Sequence, residues 1–347
     1  MENLCHTLAG ALLAKAGLQD RSPLALPALA VAANLPDIDV FGSILGQDYL
    51  DLHRGVTHGF VGVPVLALGW AGVLWAWARF RRGSPVRFGP LAAIIFAGVL
   101  SHPFLDLLND YGIRPWLPLD GRRYYGDLVG VVDPWMWAIL GCGCAATVTS
   151  AGARAAWLGL AGLLAVAITL GANPLVALVW SATLTVLVAA GRRLRPAAAA
   201  RCAFVLLGVY LAGTAIVRER ARAFAADWAP QEIAAPIRRL DLLPMIGRGP
   251  WNWRVVAETE REFWVGDGAS PRSSCRLRSY EKNLDQPCYA RALSDRHMAA
   301  MSRFARYPSV DVRRDGPACV VFLRDLRYAR QSTPGWGVAV ATVSAAN

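Results

Sequence analysis

The stretch HRGVTHGFVGVPVLALGWAGVLWAWARF, residues 53–80, decides how the chain is to be read. From Gly59 to Ala78 it holds no charged residue, and an apolar run of about 20 residues is what crosses a hydrocarbon core of about 30 Å. Directly ahead of it stand His53, Arg54 and His58. Ionisable groups beside lipid are expensive to desolvate, and by default they mark a functional site.

Five more apolar runs follow: Phe88–Leu108, Pro134–Ala153, Ala155–Leu170, Ala172–Ala190 and Cys202–Val217. From Arg218 onward charged residues become frequent and no run is long enough to span. The expected fold is therefore an α-helical polytopic membrane protein of about six spans with a small α+β extramembrane C-terminal domain. Residues 1–133 form a region with two spans and outer loops, 134–217 a four-span bundle, and 218–347 the α+β domain. The opening MENLCHTLAGALLAKAGLQD has an acid at position 2, a His in its apolar part and no basic leader. It is expected to belong to the mature protein.

The net charge is +11. Most of the excess is Arg spread through the C-terminal domain and packed into two short loops, RFRRGSPVR (79–87) and GRRLRP (191–196). Basic loops between spans resist translocation and set topology, so nucleic acid is not the expected partner. With both loops in the cytoplasm, six alternating spans leave the C-terminal domain outside the inner membrane. His53, His58, His102 and Asp106 then share that outer face. Cys142, Cys144 and Cys202 lie in apolar runs and read as packing residues. Cys275, Cys288 and Cys319 lie in the outer domain, where a disulfide can persist; proximity alone points to Cys275–Cys288.

Four of the five histidines fall within the first 102 residues: His6, His53, His58 and His102. His102 and Asp106 are spaced i,i+4 and project from one helix face. The alternative is an interfacial His paired with its own carboxylate. Asp37 and Asp39 follow Pro36, which ends the preceding helix; an extended backbone would let them share a cation. The alternative is a helix N-cap. His53 and His58 stand about 140° apart on an ideal helix, so a turn at Gly55 is needed for both to bracket one site. A belt of interfacial residues would favour Trp, Tyr, Lys and Arg over His. His6 alone reads as a buried histidine and gains weight only from the other three. Imidazole and carboxylate without thiolate suit zinc, with manganese or iron as the next choices. Seven donors exceed what one tetrahedral ion takes, so the site is expected to hold one or two divalent ions.

MENLCHTLAGALLAKAGL, AANLPDIDV, HRGVTHG, SHPFLDLLNDYG and PWLPLDGRRY with VVDPWMW occur in order over roughly residues 1–140. This set resembles the YbcI/YdjM-type membrane-bound metal-dependent hydrolase family. The resemblance implies metal-dependent hydrolysis at the membrane. It also implies His6, Asp37, Asp39, His53, His58, His102 and Asp106 as ligands. Gly59 departs from the Ser that often follows the second His in that family. A remoter similarity, to helical zinc-dependent phospholipase C and single-strand nuclease enzymes, shares the HxxxD pair and points to a phosphoester by analogy.

Residues 109–133 form a polar, aromatic outer connection bearing Arg114, Arg122, Arg123, Asp127 and Asp133. Arg122 or Arg123 can meet a phosphate bidentately, while Trp116, Tyr124 and Tyr125 suit headgroup depth. Asp133 precedes Pro134 and reads as a cap, with a general-base role as the outside alternative. In the C-terminal domain, a polar helix is expected near Arg218–Trp228. PWNWRVVAETEREFWVGD (250–267) and ACVVFLRDLRYA (318–329) read as strand, and ARALSDRHMAAMSRFARYP (290–308) as helix with His297 on its surface.

The expected function is a membrane-embedded metal-dependent hydrolase acting on a membrane-proximal ester, a phosphoester first. Asp37 or Asp39 would act as base, and Arg54 and Arg123 would bind substrate. The substrate would be a small or lipid-linked molecule, and membrane lipid the partner. The alternative is a non-enzymatic metal-binding, transport or structural membrane protein. The polar groups sit at span ends and no internal repeat is visible, which disfavours the transporter pattern.

Overall fold

Small residues set the spacing of the first helices. The computed structural model describes residues 1–82, 86–148, 150–151, 174–246 and 249–345. The chain divides into two compact units. The first comprises Met1–Ile38, Val56–Gly126 and Gly130–Gly213, and the second Asp39–Gly55, Asp127–Val129 and Thr214–Asn347.

In the first unit, α1 (Asn3–Lys15), α2 (Ala25–Ala32), α4 (Gly62–Arg82) and α5 (Phe88–Leu107) surround a core of Ala25, Ala28, Leu29, Ala32, Ala67, Ala71, Ile94 and Ile95. Alanine at these positions lets helix backbones approach closely. At Gly10, α1 meets α2 so closely that a Cβ there would lie 2.5 Å from the Leu29 carbonyl oxygen. α6 (Pro134–Thr147) packs on α1, and α7 (Pro174–Gly191) on α6. α8 (Pro196–Glu232) joins through Tyr210, whose hydroxyl donates to Asp133 at 2.8 Å.

Among the described residues, α4, α5 and α8 are long and apolar enough to cross a membrane. A fourth candidate is the pair Ala25–Ala32 and Leu35–Leu45, bent by 47°. The described residues thus supply three spans, or four with the bent pair, and do not support the expected six. Pro134–Ala153 is realised as a 14-residue helix, about 21 Å long at 1.5 Å per residue, short of a bilayer core. Ala155–Leu170 lies outside the described residues. Ala172–Ala190 corresponds to α7, and Cys202–Val217 is part of the 37-residue α8. The polar helix expected at Arg218–Trp228 is the continuation of α8. Arg, Glu and Ala are good helix formers, so the helix continues where the apolar run stops.

The second unit holds two antiparallel sheets. β1 (Arg239–Pro244), β2 (Trp253–Glu258), β3 (Glu262–Ala269) and β4 (Arg278–Glu281) form one, in sequence order. β5 (Pro308–Asp315), β6 (Ala318–Asp325) and β7 (Val338–Ser344) form the other. The strand expected over 250–267 is a hairpin: Thr259 donates its N–H to Glu262 O at 2.9 Å and turns the chain. Both faces of β2 are buried. Val255 and Ala257 pack against Ala221, Ala225 and Trp228 of α8, while Val256 packs with Tyr307 and Leu326. The expected helix over 290–308 is two, α9 (Pro287–Ala292) and α10 (Arg296–Phe304), the second capped by Asp295. The disulfide is Cys288–Cys319, joining α9 to β6, and Cys275 is free. Neighbourhood in sequence misled here, because Cys275 lies in the connection from β3 to β4, beside Gly266 of the first sheet.

Asp267 on β3 gives this unit an acid-sensitive contact. Burial alone would raise its carboxyl, but the hydrogen-bonded guanidinia of Arg254 and Arg330 hold it below the ordinary carboxylate value. A depressed native pKa contributes stability above the unfolded value of about 3.9, lost as pH falls through the folded value. Between pH 7 and pH 3, the urea midpoint of the wild type is expected to fall further than that of Asp267→Asn.

Candidate metal centre

Five expected ligands come together in the first unit. α1 supplies His6, and α5 supplies His102 and Asp106 from one face. The 3-10 segment Leu35–Leu45 carries Asp37 in its first turn, and a second 3-10 turn, Val56–His58, ends on His58 just before α4. Gly59 and Gly62 allow that tight entry. A Cβ on Gly59 would lie 2.7 Å from the Pro115 carbonyl, and one on Gly62 2.1 Å from that of Val56. The Ser common in the resembling family would not fit at position 59 without a shift of backbone.

Four donor atoms converge: Asp37 Oδ1, His58 Nε2, His102 Nε2 and Asp106 Oδ2. His58 and His102 Nε2 are 3.1 Å apart. His58 Nε2 lies 3.5 Å from Asp37 Oδ1 and 3.4 Å from Asp106 Oδ2. His102 Nε2 lies 3.3 Å and 3.5 Å from the same two oxygens. For a tetrahedral ion with ligands at 2.0–2.1 Å, donor-to-donor edges come to about 3.3 Å. The donor set therefore fits one small divalent ion. Both imidazoles and Asp106 are fully buried, and only Asp37 is accessible, at 14 % of its side chain.

Supporting contacts orient the donors. His102 Nδ1 donates to the Ala33 carbonyl at 2.7 Å, which leaves its Nε2 lone pair pointing at the cluster. Thr57 Oγ1 is 3.0 Å from His58 Nδ1 and serves that ring in the same way. Such outer hydrogen bonds fix the tautomer and ring angle of ligating histidines. His6 stacks on His102 with centroids 3.6 Å apart, and its Nε2 lies 3.5 Å from Asp106 Oδ1. The same oxygen accepts from the Met1 ammonium. Sequence reading did not identify Thr57, Ala33 or Met1. Thr57 was visible as a hydroxyl beside His58; a backbone carbonyl such as that of Ala33 leaves no trace in residue type.

Asp39 and His53 also belong to a group of described donors that could hold an ion, and the remaining expected residues have partners of their own. Asp39 and His53 form a pair in the second unit, Nδ1 to Oδ1 3.0 Å, and Asp39 Oδ2 accepts the Arg54 N–H at 3.0 Å. Arg54 is buried. Arg123 donates to the Gly112 carbonyl at 3.3 Å and lies over the Tyr111 ring, while Arg122 pairs with Asp120 at 2.8 Å. Asp133 is the N-cap of α6, its Oδ1 accepting from the Trp135 and Met136 N–H groups and its Oδ2 from the Tyr210 hydroxyl. His297 is half exposed and paired with Asp48.

No curated protein and no solved structure matches the chain. The family model described as YdjM inner membrane protein matches residues 1–175, half of the chain. That span contains the converging Asp37, His58, His102 and Asp106, together with α4 and α5. The chain belongs to the YdjM inner membrane protein family.

Proposed function

We propose that this protein is a metal-dependent hydrolase acting on a membrane-proximal ester, a phosphoester first, at the cluster of Asp37, His58, His102 and Asp106. One observation carries the reading: three buried donors and the partly accessible Asp37 come together, each imidazole Nε2 lying 3.1–3.5 Å from the other three ligating atoms. Zinc is the first choice of ion and manganese the second, and either would lower the pKa of a bound water toward neutrality. The chain holds the donors rigid through Ala33 and Thr57 and excludes bulk water from all but Asp37. That residue is where a substrate would approach, and where a base role is assigned. Asp39 has both oxygens engaged by His53 and Arg54 and acts as an orienting carboxylate. For Arg123 to bind phosphate, it would exchange its Gly112 carbonyl for the substrate.

The C-terminal unit is placed outside the inner membrane. The Cys288–Cys319 disulfide supports that side, since such bonds persist in oxidising compartments.

A second reading, a non-enzymatic metal-binding protein, has its own support. Four protein donors complete a tetrahedral shell, whereas catalytic zinc sites keep a position open. Detergent-purified protein assayed with zinc or manganese on phosphomonoester, phosphodiester and phospholipid substrates separates the two. Turnover abolished by chelator and by Asp37→Asn is the expected result. A full complement of tightly bound metal with no turnover on any substrate favours the second reading.

A further inference from the structure

The segment Asp39–Gly55 belongs to the second unit, where two of its acids meet one short basic stretch. Along α10 and the two residues after it stand His297, Arg303 and Arg306. His297 Nδ1 is 2.7 Å from Asp48 Oδ2. Arg303 grips Asp51 with two bonds, Nε to Oδ1 at 3.0 Å and Nη2 to Oδ2 at 2.6 Å. Arg306 Nη1 donates to Asp127 Oδ1 at 2.7 Å, and both partners are buried. Each basic group thus meets an acid from the first 127 residues of the chain.

The gripped segment ends on His53. Asp48 caps the short helix α3 (Tyr49–Leu52) by accepting the Leu50 N–H at 2.9 Å, and Asp51 lies within it. His53 is the C-cap residue of α3, and the Tyr49 ring stacks on it with centroids 4.7 Å apart. The next residue, Arg54, has φ +58°. A non-glycine residue persists in that conformation only where its surroundings over-determine it. Here the Asp39 carboxylate does so, holding the Arg54 N–H and the His53 ring together.

We infer that α10 is a latch that sets the orientation of the His53 ring, with Arg303 and His297 as positioning residues. The latch stands on this geometry and takes nothing from the proposed hydrolase function. A fork-to-carboxylate pair fixes angle as well as distance. An exposed pair contributes little to global stability, so orientation is what the Arg303–Asp51 contact supplies.

The test uses the full chain in detergent with ring-labelled histidine, the His53 signals being assigned by His53→Gln, together with amide exchange over residues 50–54. Arg303→Ala is expected to shift or broaden the His53 ring signals and to speed exchange at 50–54 severalfold. Exchange in β5–β7 should stay unchanged. Arg303→Lys is expected to recover part of the effect, and Asp51→Arg combined with Arg303→Asp most of it. His297→Ala should move the same signals by less, and decides the matter if Arg303→Ala does not fold. Unchanged His53 signals and exchange would overturn the latch. So would a loss that spreads through β5–β7 and is not restored by the exchanged pair. Neither readout needs turnover, so failure of the hydrolase reading leaves the result interpretable.

Discussion

Replacing His102 with alanine is expected to weaken divalent metal binding by at least roughly 100-fold, the upper end of what losing even a supporting hydrogen bond does. His102 is the centre of the cluster: its Nε2 lies within 3.5 Å of the His58, Asp37 and Asp106 donors. Its Nδ1 bond to Ala33 ties the ring to the end of α2. The alanine variant keeps two carboxylates in one buried pocket with one imidazole fewer to share an ion between them. Competition titration with a chromophoric chelator measures the loss. His297→Ala, on the other unit, is expected to leave metal affinity unchanged in the same titration. An unchanged affinity in His102→Ala would remove α5 from the site.

A second large effect is expected in the C-terminal unit, at Asp325. Its carboxylate accepts from Arg327 Nε at 2.9 Å and Nη2 at 2.6 Å, and from the backbone N–H groups of Arg306 and Arg327. Both side chains are fully buried. The Arg327 guanidinium also lies over the rings of Phe304 and Tyr328 and donates to the Phe304 carbonyl. Asp325→Ala leaves that cation buried without its counter-ion, which costs about 3–5 kcal/mol. Replacing both partners by apolar residues of similar volume costs far less, because desolvation of the charges is removed along with their attraction. Urea unfolding followed by tryptophan fluorescence should therefore show a large loss for Asp325→Ala. Most of it should return in Asp325→Leu combined with Arg327→Met. Equal losses in both would mean that the pair itself, rather than the stranded charge, carries the stability.

How much of this was legible in the sequence follows from what each residue type encodes. The i,i+4 spacing of His102 and Asp106 put both on one face of α5, and that face is where the cluster forms. The helical spacing read over 290–308 is realised in α10, which Asp295 caps. Among the described residues, the run from Pro134 does not become a span, because apolarity reports burial as well as lipid. The run from Pro134 is a 14-residue helix, eight of whose residues are buried. The bent pair of Ala25–Ala32 and Leu35–Leu45 was invisible as a span because Asn34, Pro36 and Asp37 interrupt it. Partners chosen by tertiary packing were also hidden: the stacking of His6 on His102 needs α1 laid against α5. The pairing of Cys288 with Cys319 depends on how α9 meets β6. The grip of α10 on Asp48 and Asp51 joins residues about 250 positions apart, with nothing local to signal it.

X-ray absorption at the zinc edge on the zinc-loaded, detergent-purified protein tests the metal centre most directly. The expected spectrum shows one tightly bound zinc with about two imidazole nitrogens and two carboxylate oxygens at 2.0–2.1 Å, the imidazole contribution falling in His102→Ala. A protein that retains no stoichiometric metal, or a zinc shell containing sulfur or unaltered by loss of His102, would contradict it.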